Sequence, residues 1–354
     1  MNSKPNGKSR FIVSLIRLLQ LCCLAILLSS FTLRLHAQVL DLSQYRSTLY
    51  YQTGPAPPTT PNSPYAYYFA SYVDADSSKA LEYSPFMVYT PSDSPTNSEF
   101  VMFEASSYSF YFFGAFYADK EDFDADYPNG TYNYVTTYSD PTDDTPKSDN
   151  VLIQTPDTDL YSPTIPAFSP NCWPAMQGLD PSADFTLSWN SYSLTPGASY
   201  AVSFLYLYDN QTLDSTYGGF NYYFDPTITS YTIPAGTLDY GRTYTVDIYF
   251  SNRATSDATN EDGSDVGVTI GYDNITSATL VTIAPSLQIV PSPGNSVTLS
   301  WPALATNYVL QTTPALTGPG GWNNVTNVPS TAGSISSLTL PANQPQAFFR
   351  LAPQ

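Results

Sequence analysis

Four groups of residues in this 354-residue chain have the types and spacing to do chemistry. Asp257-Ala-Thr-Asn-Glu261-Asp262-Gly-Ser-Asp265 gathers four carboxylates at short, irregular spacing, an oxygen-donor set suited to calcium. Extracellular sites of this kind bind at about 10⁻⁴ to 10⁻³ M, so a weak calcium site competes with a plain polar hairpin loop. A second acidic run, Asp119-Lys-Glu-Asp122-Phe-Asp124-Ala-Asp126, places Asp122, Asp124 and Asp126 on one face if extended, with Phe123, Ala125 and Tyr127 on the other. It lacks the sixth-position glycine and twelfth-position glutamate of an EF-hand, so a solvated edge or loop is expected. The third group is the aromatic load: 30 Tyr, 19 Phe and 4 Trp, including Tyr108-Ser-Phe-Tyr-Phe-Phe-Gly-Ala-Phe-Tyr117. Flat rings stack on sugars and also fill sandwich cores, so a glycan surface and ordinary packing are both open. The fourth is a carboxylate pair for glycoside hydrolysis, but residues 82, 99, 104, 121 and 261 are the only glutamates and nothing singles out a buried acid beside an exposed one.

Nucleophilic chemistry is poorly supplied. The one histidine, His36, lies near the N-terminus, so any chain cut after it lacks the usual general base and the centre of every Ser-His-Asp or Cys-His machine. Cys172, in Asn171-Cys-Trp-Pro174, has no histidine to activate it and reads as a small buried or partly buried hydrophobe near a module joint. These residues point to a protein that binds or scaffolds rather than catalyses, with carbohydrate binding as the alternative and an orphan glycosidase behind it.

The first 37 residues read as an export signal. Lys4, Lys8 and Arg10 form a basic start, Leu18 to Leu28 is mostly apolar, and Leu35-His36-Ala37 reads as the cleavage site, so the mature chain is expected to begin at Gln38. The stretch is short for a membrane span, and no stable insertion is expected after cleavage. Cleavage takes five of the 12 basic residues and none of the 30 acidic ones, leaving 7 against 30 and a formal charge of −23. Nucleic acid and anionic lipid are therefore disfavoured, and the expected partner is an extracellular protein or glycan. Cys22 and Cys23 leave with the signal, so the mature monomer holds its fold by packing rather than by an internal disulfide.

The elements that must position these residues are β-strands. Phe185-Thr-Leu-Ser-Trp189, Tyr244-Thr-Val-Asp-Ile-Tyr249 and Val297-Thr-Leu-Ser-Trp301 carry an apolar residue at every second position, and no long stretch has helical period. Turn signals such as Pro128-Asn-Gly130, within the hairpin-like Tyr127 to Tyr132, separate the runs, as in sandwiches of antiparallel sheets. The expected fold class is all-β, with tandem antiparallel β-sandwich modules. Charge divides the chain: residues 38–160 hold 18 acids and four bases, residues 161–284 hold 12 and two, and residues 285–354 hold Arg350 alone. These shifts coincide with proline-bearing joints at Pro163 to Pro170 and at Pro285. They predict a signal over 1–37, an acidic sandwich-like module over 38–160, a second module over 161–284 and a short third over 285–354.

The second module resembles a fibronectin type III domain of the immunoglobulin-like class. Phe185, Leu187 and Trp189 look like its tryptophan-bearing strand, and Leu238-Asp-Tyr-Gly241-Arg-Thr-Tyr244 is similar to its leucine, tight turn and tyrosine corner, with Tyr240 where the family usually has proline. The resemblance implies that Trp189 packs in the core and that the Tyr244 hydroxyl bonds nearby backbone. Trp301, within Val297, Leu299 and Trp301, then Tyr308 and Leu310, and the ending Ala347 to Leu351, resemble a shorter copy. Such short copies end secreted bacterial proteins, and one of this size is expected to dock on module two.

Overall fold

A computed structural model describes residues 39–75, 81–89, 98–106, 109–139, 146–211, 222–260, 263–316 and 321–354. The export signal, and Glu261 and Asp262 of the acidic hairpin, lie outside the described residues. In the first third the strands are β1 (Val39–Gln52), β2 (Tyr67–Ala75), β3 (Leu81–Tyr89), β4 (Ser98–Val101), β5 (Phe103–Ser106) and β6 (Ser109–Phe113), then helix α1 (Lys120–Asp126), β7 (Thr131–Ser139) and β8 (Pro146–Gln154). Next come helix α2 (Trp173–Met176), β9 (Phe185–Ser188), β10 (Tyr200–Asp209), β11 (Tyr222–Phe224), β12 (Ser230–Ile233), β13 (Thr243–Thr259) and β14 (Asp265–Val281). The last part holds β15 (Gln288–Ser292), β16 (Ser296–Pro302), β17 (Tyr308–Thr313), β18 (Asn323–Asn324), β19 (Ser330–Ala332), β20 (Ile335–Pro341) and β21 (Phe348–Pro353). The fold class is all-β, built of sandwiches.

The central sheet draws strands from both sides of residue 160. One eight-stranded sheet, in the order β11-β10-β13-β14-β1-β2-β6-β5, runs through both expected modules. Its seam is a parallel pairing of β1 with β14, from Asp41 opposite Gly267 to Gln52 opposite Ala278, whereas the other strand pairs of this sheet are antiparallel. The physical reason is length: β13 and β14 are 17-residue strands, long enough to serve two cores at once.

One face of this sheet carries both cores. Toward the tip of the β13–β14 hairpin, Val266, Val268, Ile270 and Tyr272 join Leu42, Phe69, Val73 and Phe110 beneath the sheet β4-β3-β7-β8. Toward its base, Tyr244, Val246, Ile248, Phe250, Ala278 and Leu280 meet Leu187, Trp189 and Ile233 of the two-stranded sheet β12-β9, with Trp173 and Met176 of α2. Alternation by two assigns these residues to one face.

Between the cores runs the proline-bearing segment 160–168, which the charge shift marks as a joint and the structure shows as an ordered strap. Polar side chains on the sheet capture its backbone: Asn252 Nδ2 donates to Leu160 O at 2.9 Å, Asn274 Nδ2 to Ser162 O at 2.7 Å, and Thr276 Oγ1 to Pro166 O at 2.6 Å. Gln52 closes the end, accepting from Phe168 N–H at 2.8 Å and donating to Phe168 O at 3.1 Å. Prolines at 163 and 166 keep the strap from pairing as a strand, so these buried side chains do the work of a ladder.

The third module is a small sandwich, β15-β16-β20-β19 against β18-β17-β21. Leu299, Ala305 and Leu310 are its buried apolar residues. It contacts the turn before β13: Asn307 Nδ2 donates to Tyr240 O at 2.8 Å, and a Cβ on Gly241, at φ 65°, would run into the Tyr308 hydroxyl.

Candidate functional site

The other face of the central sheet has a different chemistry. Alternation puts Phe204, Tyr206 and Tyr208 of β10, Tyr249 of β13, Tyr68 and Tyr72 of β2, and Tyr111 and Phe113 of β6 on this side, where they cluster with Leu49 and Ile275. The rings meet edge to face: Tyr206 and Tyr249 lie 5.1 Å apart, and Tyr72 and Phe113 5.8 Å. The two central strands between these groups carry small or polar residues on the same side, among them Gly271, Asp273 and Ser277 of β14 and Ser43 and Ser47 of β1. The aromatic run from Tyr108 thus serves both faces, with Phe110 in one core and Tyr111 and Phe113 opposite.

Ionisable groups are buried along this face. Arg253 lies 4.4 Å from the Tyr45 ring centre and 5.2 Å from that of Phe204, reaching across Gly271, where a Cβ would strike both the Tyr45 ring and the guanidinium. Its Nη2 is 3.9 Å from Asp273 Oδ1, and the Ser251 hydroxyl donates to the same carboxylate. Burial pushes the Asp273 carboxyl up, with Arg253 and Ser251 opposing. Among the described residues Asp247 has no cation partner: burial pushes its carboxyl up to about 7 against one hydrogen bond from Ser277. Asp247 Oδ1, Arg253 Nε and Ser47 Oγ find no hydrogen-bond partner among the described residues.

The acidic run at 119–126 is a helix, not the extended edge or loop its alternation of aspartates predicts. Phe123 and Tyr127, four residues apart, are buried together in the first core and fix the helical period. Asp124 then falls within 2.5 Å of both Arg46 Nη2 and Lys120 Nζ. Lys120 Nζ also lies 2.6 Å from Asp159 Oδ2, and Arg46, buried beneath the Phe123 ring at 4.6 Å, donates to Tyr127 O. Burial raises the Asp159 carboxyl, but Lys120, Arg46 and Asn129 outweigh it and hold the group below its ordinary value. This cluster clamps α1 to the sheet. The Tyr127 to Tyr132 turn, which reads as a hairpin, links that helix to β7, with the Tyr132 hydroxyl donating to Pro128 O at 2.7 Å.

In the β13–β14 hairpin Asp257 stands opposite Gly267 and Asp265 opposite Thr259, both exposed and on one face. Among the described residues no three acids, histidines or cysteines assemble to hold a metal ion.

Trp189 is buried 5.7 Å from the Phe224 ring, and its Nε1 donates to Ile228 O at 3.1 Å. The Tyr244 hydroxyl accepts from Asp239 N–H at 2.8 Å, and Leu238 is buried beside it. Tyr240 is buried too, its hydroxyl donating to Asp180 Oδ1 at 3.1 Å, which explains a tyrosine at that position. Trp301, by contrast, is only half-buried, because the third module's sheets are too small to cover it. Cys172 is buried, its thiol 3.2 Å from Ser169 O.

No protein-family model matches the chain, and no curated protein matches it. Among solved structures, the FN1–FN3 domains of chicken CNTN1 align over 89% of this chain and 92% of theirs at 9% identity and a TM-score of 0.16. The central fibronectin-III array of RIM-binding protein aligns over 90% and 93% at 10% identity and a TM-score of 0.17. Scores of this size carry no argument, and the sandwich assignment rests on the strand pairing described above.

Proposed function

We propose that this chain is a secreted or surface-associated, non-catalytic β-sandwich protein that binds or scaffolds an extracellular partner. The observation that carries the reading is the division of labour between the two faces of the central sheet. One face is committed to two cores and a strap, while the other carries a third, aromatic cluster with buried hydrogen-bonding groups, so both faces of the central sheet are given to structure. The clearest ion cluster, around Arg46, is engaged in clamping α1, and Trp189, Leu238, Gly241, Tyr244 and Trp301 act in packing and turns. The high negative charge expected after export turns the choice of partner away from polyanions. Carbohydrate binding is the second reading, favoured by the high tyrosine content.

Fractionation of producing cells and medium, with intact mass of the recovered chain, tests export: the expected species begins at Gln38 and lies outside the cytoplasm. Full-length chain in the cytoplasmic fraction would overturn it. Incubation with labelled polysaccharides tests catalysis, with no product release above buffer expected and sustained hydrolysis the contrary result.

A further inference from the structure

The third module leaves part of its own core face uncovered. Its sheet β15-β16-β20-β19 has four strands, and the sheet against it, β18-β17-β21, has three. Ile289 stands opposite Leu299 on the inner face, yet Leu299 is fully buried and Ile289 is 48% exposed. Leu351 of β21 stands opposite buried Leu310 and is only half-buried, as is Phe349 on the same face. Along its other side β21 has no backbone partner among the described residues. Two bonds fix how that open edge is set: Gln354 N–H donates to Asn307 O at 3.0 Å, continuing the β17–β21 ladder, and Val325 N–H donates to Leu310 O at 2.9 Å on the far side of β17. Alternation then turns the backbone groups of Phe349, Leu351 and Pro353 outward. Such edges normally carry a charge that keeps other strands away. Here the strand's one charge is drawn back over the sheet, with Arg350 Nε donating to Gln311 Oε1 at 2.8 Å and the guanidinium 4.4 Å from the Trp322 ring centre.

Charge decides which partner can reach this edge. Residues 38–284 hold 30 acids against six bases, so two copies repel wherever those parts meet, whereas residues 285–354 hold Arg350 and no acid. Six of the 13 exposed large apolar residues among the described ones lie in this same charge-poor segment, which makes it the place where two copies can touch. We propose that β21 is a self-association edge, on which β21 of a second copy adds antiparallel across a two-fold axis to make one sheet through both third modules. Residues opposite each other must share a face, so the axis passes through a residue of the strand. At Arg350 it sets like charges opposite each other, and at Phe349 or Ala352 it pairs only 348–350 or 351–353. At Leu351 it pairs 349–353: Leu351 N–H donates to the partner's Leu351 O and Phe349 N–H to the partner's Pro353 O, each reciprocated, while Arg350 faces the partner's Ala352. Pro353, at the end of the pairing, has no N–H to offer and is used through its carbonyl. This association adds to the binding reading above and does not depend on it.

The paired stretch is far shorter than the roughly 20–30 residues a side of a standard interface, so the expected Kd is about 10–100 µM. Sedimentation velocity of the purified chain from about 1 µM to about 500 µM should show the weight-average mass rising from monomer toward dimer. Leu351→Pro removes the central N–H without touching a bond to β17 and should give monomer throughout. Ala352→Lys should weaken the dimer about fivefold by facing the partner's Arg350, and Ala352→Glu should tighten it by about as much, a reversal that mere damage to the module does not produce. That pair also decides the matter if Leu351→Pro fails to fold. Monomer at every concentration overturns the proposal. So does a dimer that none of the three substitutions changes, or one that Ala352→Lys and Ala352→Glu shift in the same direction.

Discussion

Replacing Asp247 by Asn should stabilise the protein, and by an amount that depends on pH. The carboxyl faces Ser277 and Tyr206 across its neighbouring strands and Thr245 and Tyr249 along its own, none of which carries charge near neutrality. Burial raises it from 3.8 to about 7. The folded state therefore holds this proton more tightly than the unfolded chain. The stability it contributes is fully present below about pH 4 and is lost as pH rises toward 7, above which the loss is constant. At about 1.4 kcal/mol per pH unit, the ceiling on that loss is about 4 kcal/mol. Asn at 247 cannot ionise and escapes it. Urea titrations of both proteins at pH 4, 6 and 8 should give a difference near zero at pH 4 that grows in favour of Asp247→Asn up to pH 8. A difference that is flat with pH, or that favours the parent chain at pH 8, refutes the reasoning.

Other substitutions follow from the same geometry. Tyr244→Phe should cost about 1 kcal/mol, because Asp239 N–H loses its acceptor, and Trp189→Ala about 3–5 kcal/mol through a core cavity; equal small effects in denaturant titration would contradict the packing described. Arg46→Met should cost about 1–3 kcal/mol by removing the buried guanidinium that bonds Tyr127 O, while Lys120 still pairs with Asp124 and Asp159, with proteolysis at the α1 segment as a local readout. Asp159, held below its ordinary value, contributes stability at neutral pH that disappears as pH falls through its folded pKa, so Asp159→Asn should flatten the acid limb of an unfolding profile. Asn274→Leu should cost about 1–3 kcal/mol by stranding Ser162 O, measured in urea.

Local pattern made the strands, Trp189 and the Tyr244 corner legible, because alternation and turn residues act over a few positions. It did not reveal the shared sheet, since Asp41 pairs with Gly267 across more than half the chain and no neighbouring residue records that partner. In α1 the alternating aspartates masked the stronger signal, Phe123 and Tyr127 at helical spacing. The strap was marked by its prolines but read as a joint, and its real signature is the appearance of Asn252, Asn274 and Thr276 at inward positions of otherwise apolar strands. The polar groups of the aromatic face were hidden too: Asp247 in Tyr244-Thr-Val-Asp-Ile-Tyr249 has the place of an ordinary outward residue in the alternation, yet it is buried in the folded chain.

A crystal structure of the chain tests the central claim most directly. It is expected to show β1 paired in parallel with β14, Asp41 opposite Gly267, within one eight-stranded sheet that serves two cores. Two separate sheets that divide near residue 160 would contradict it.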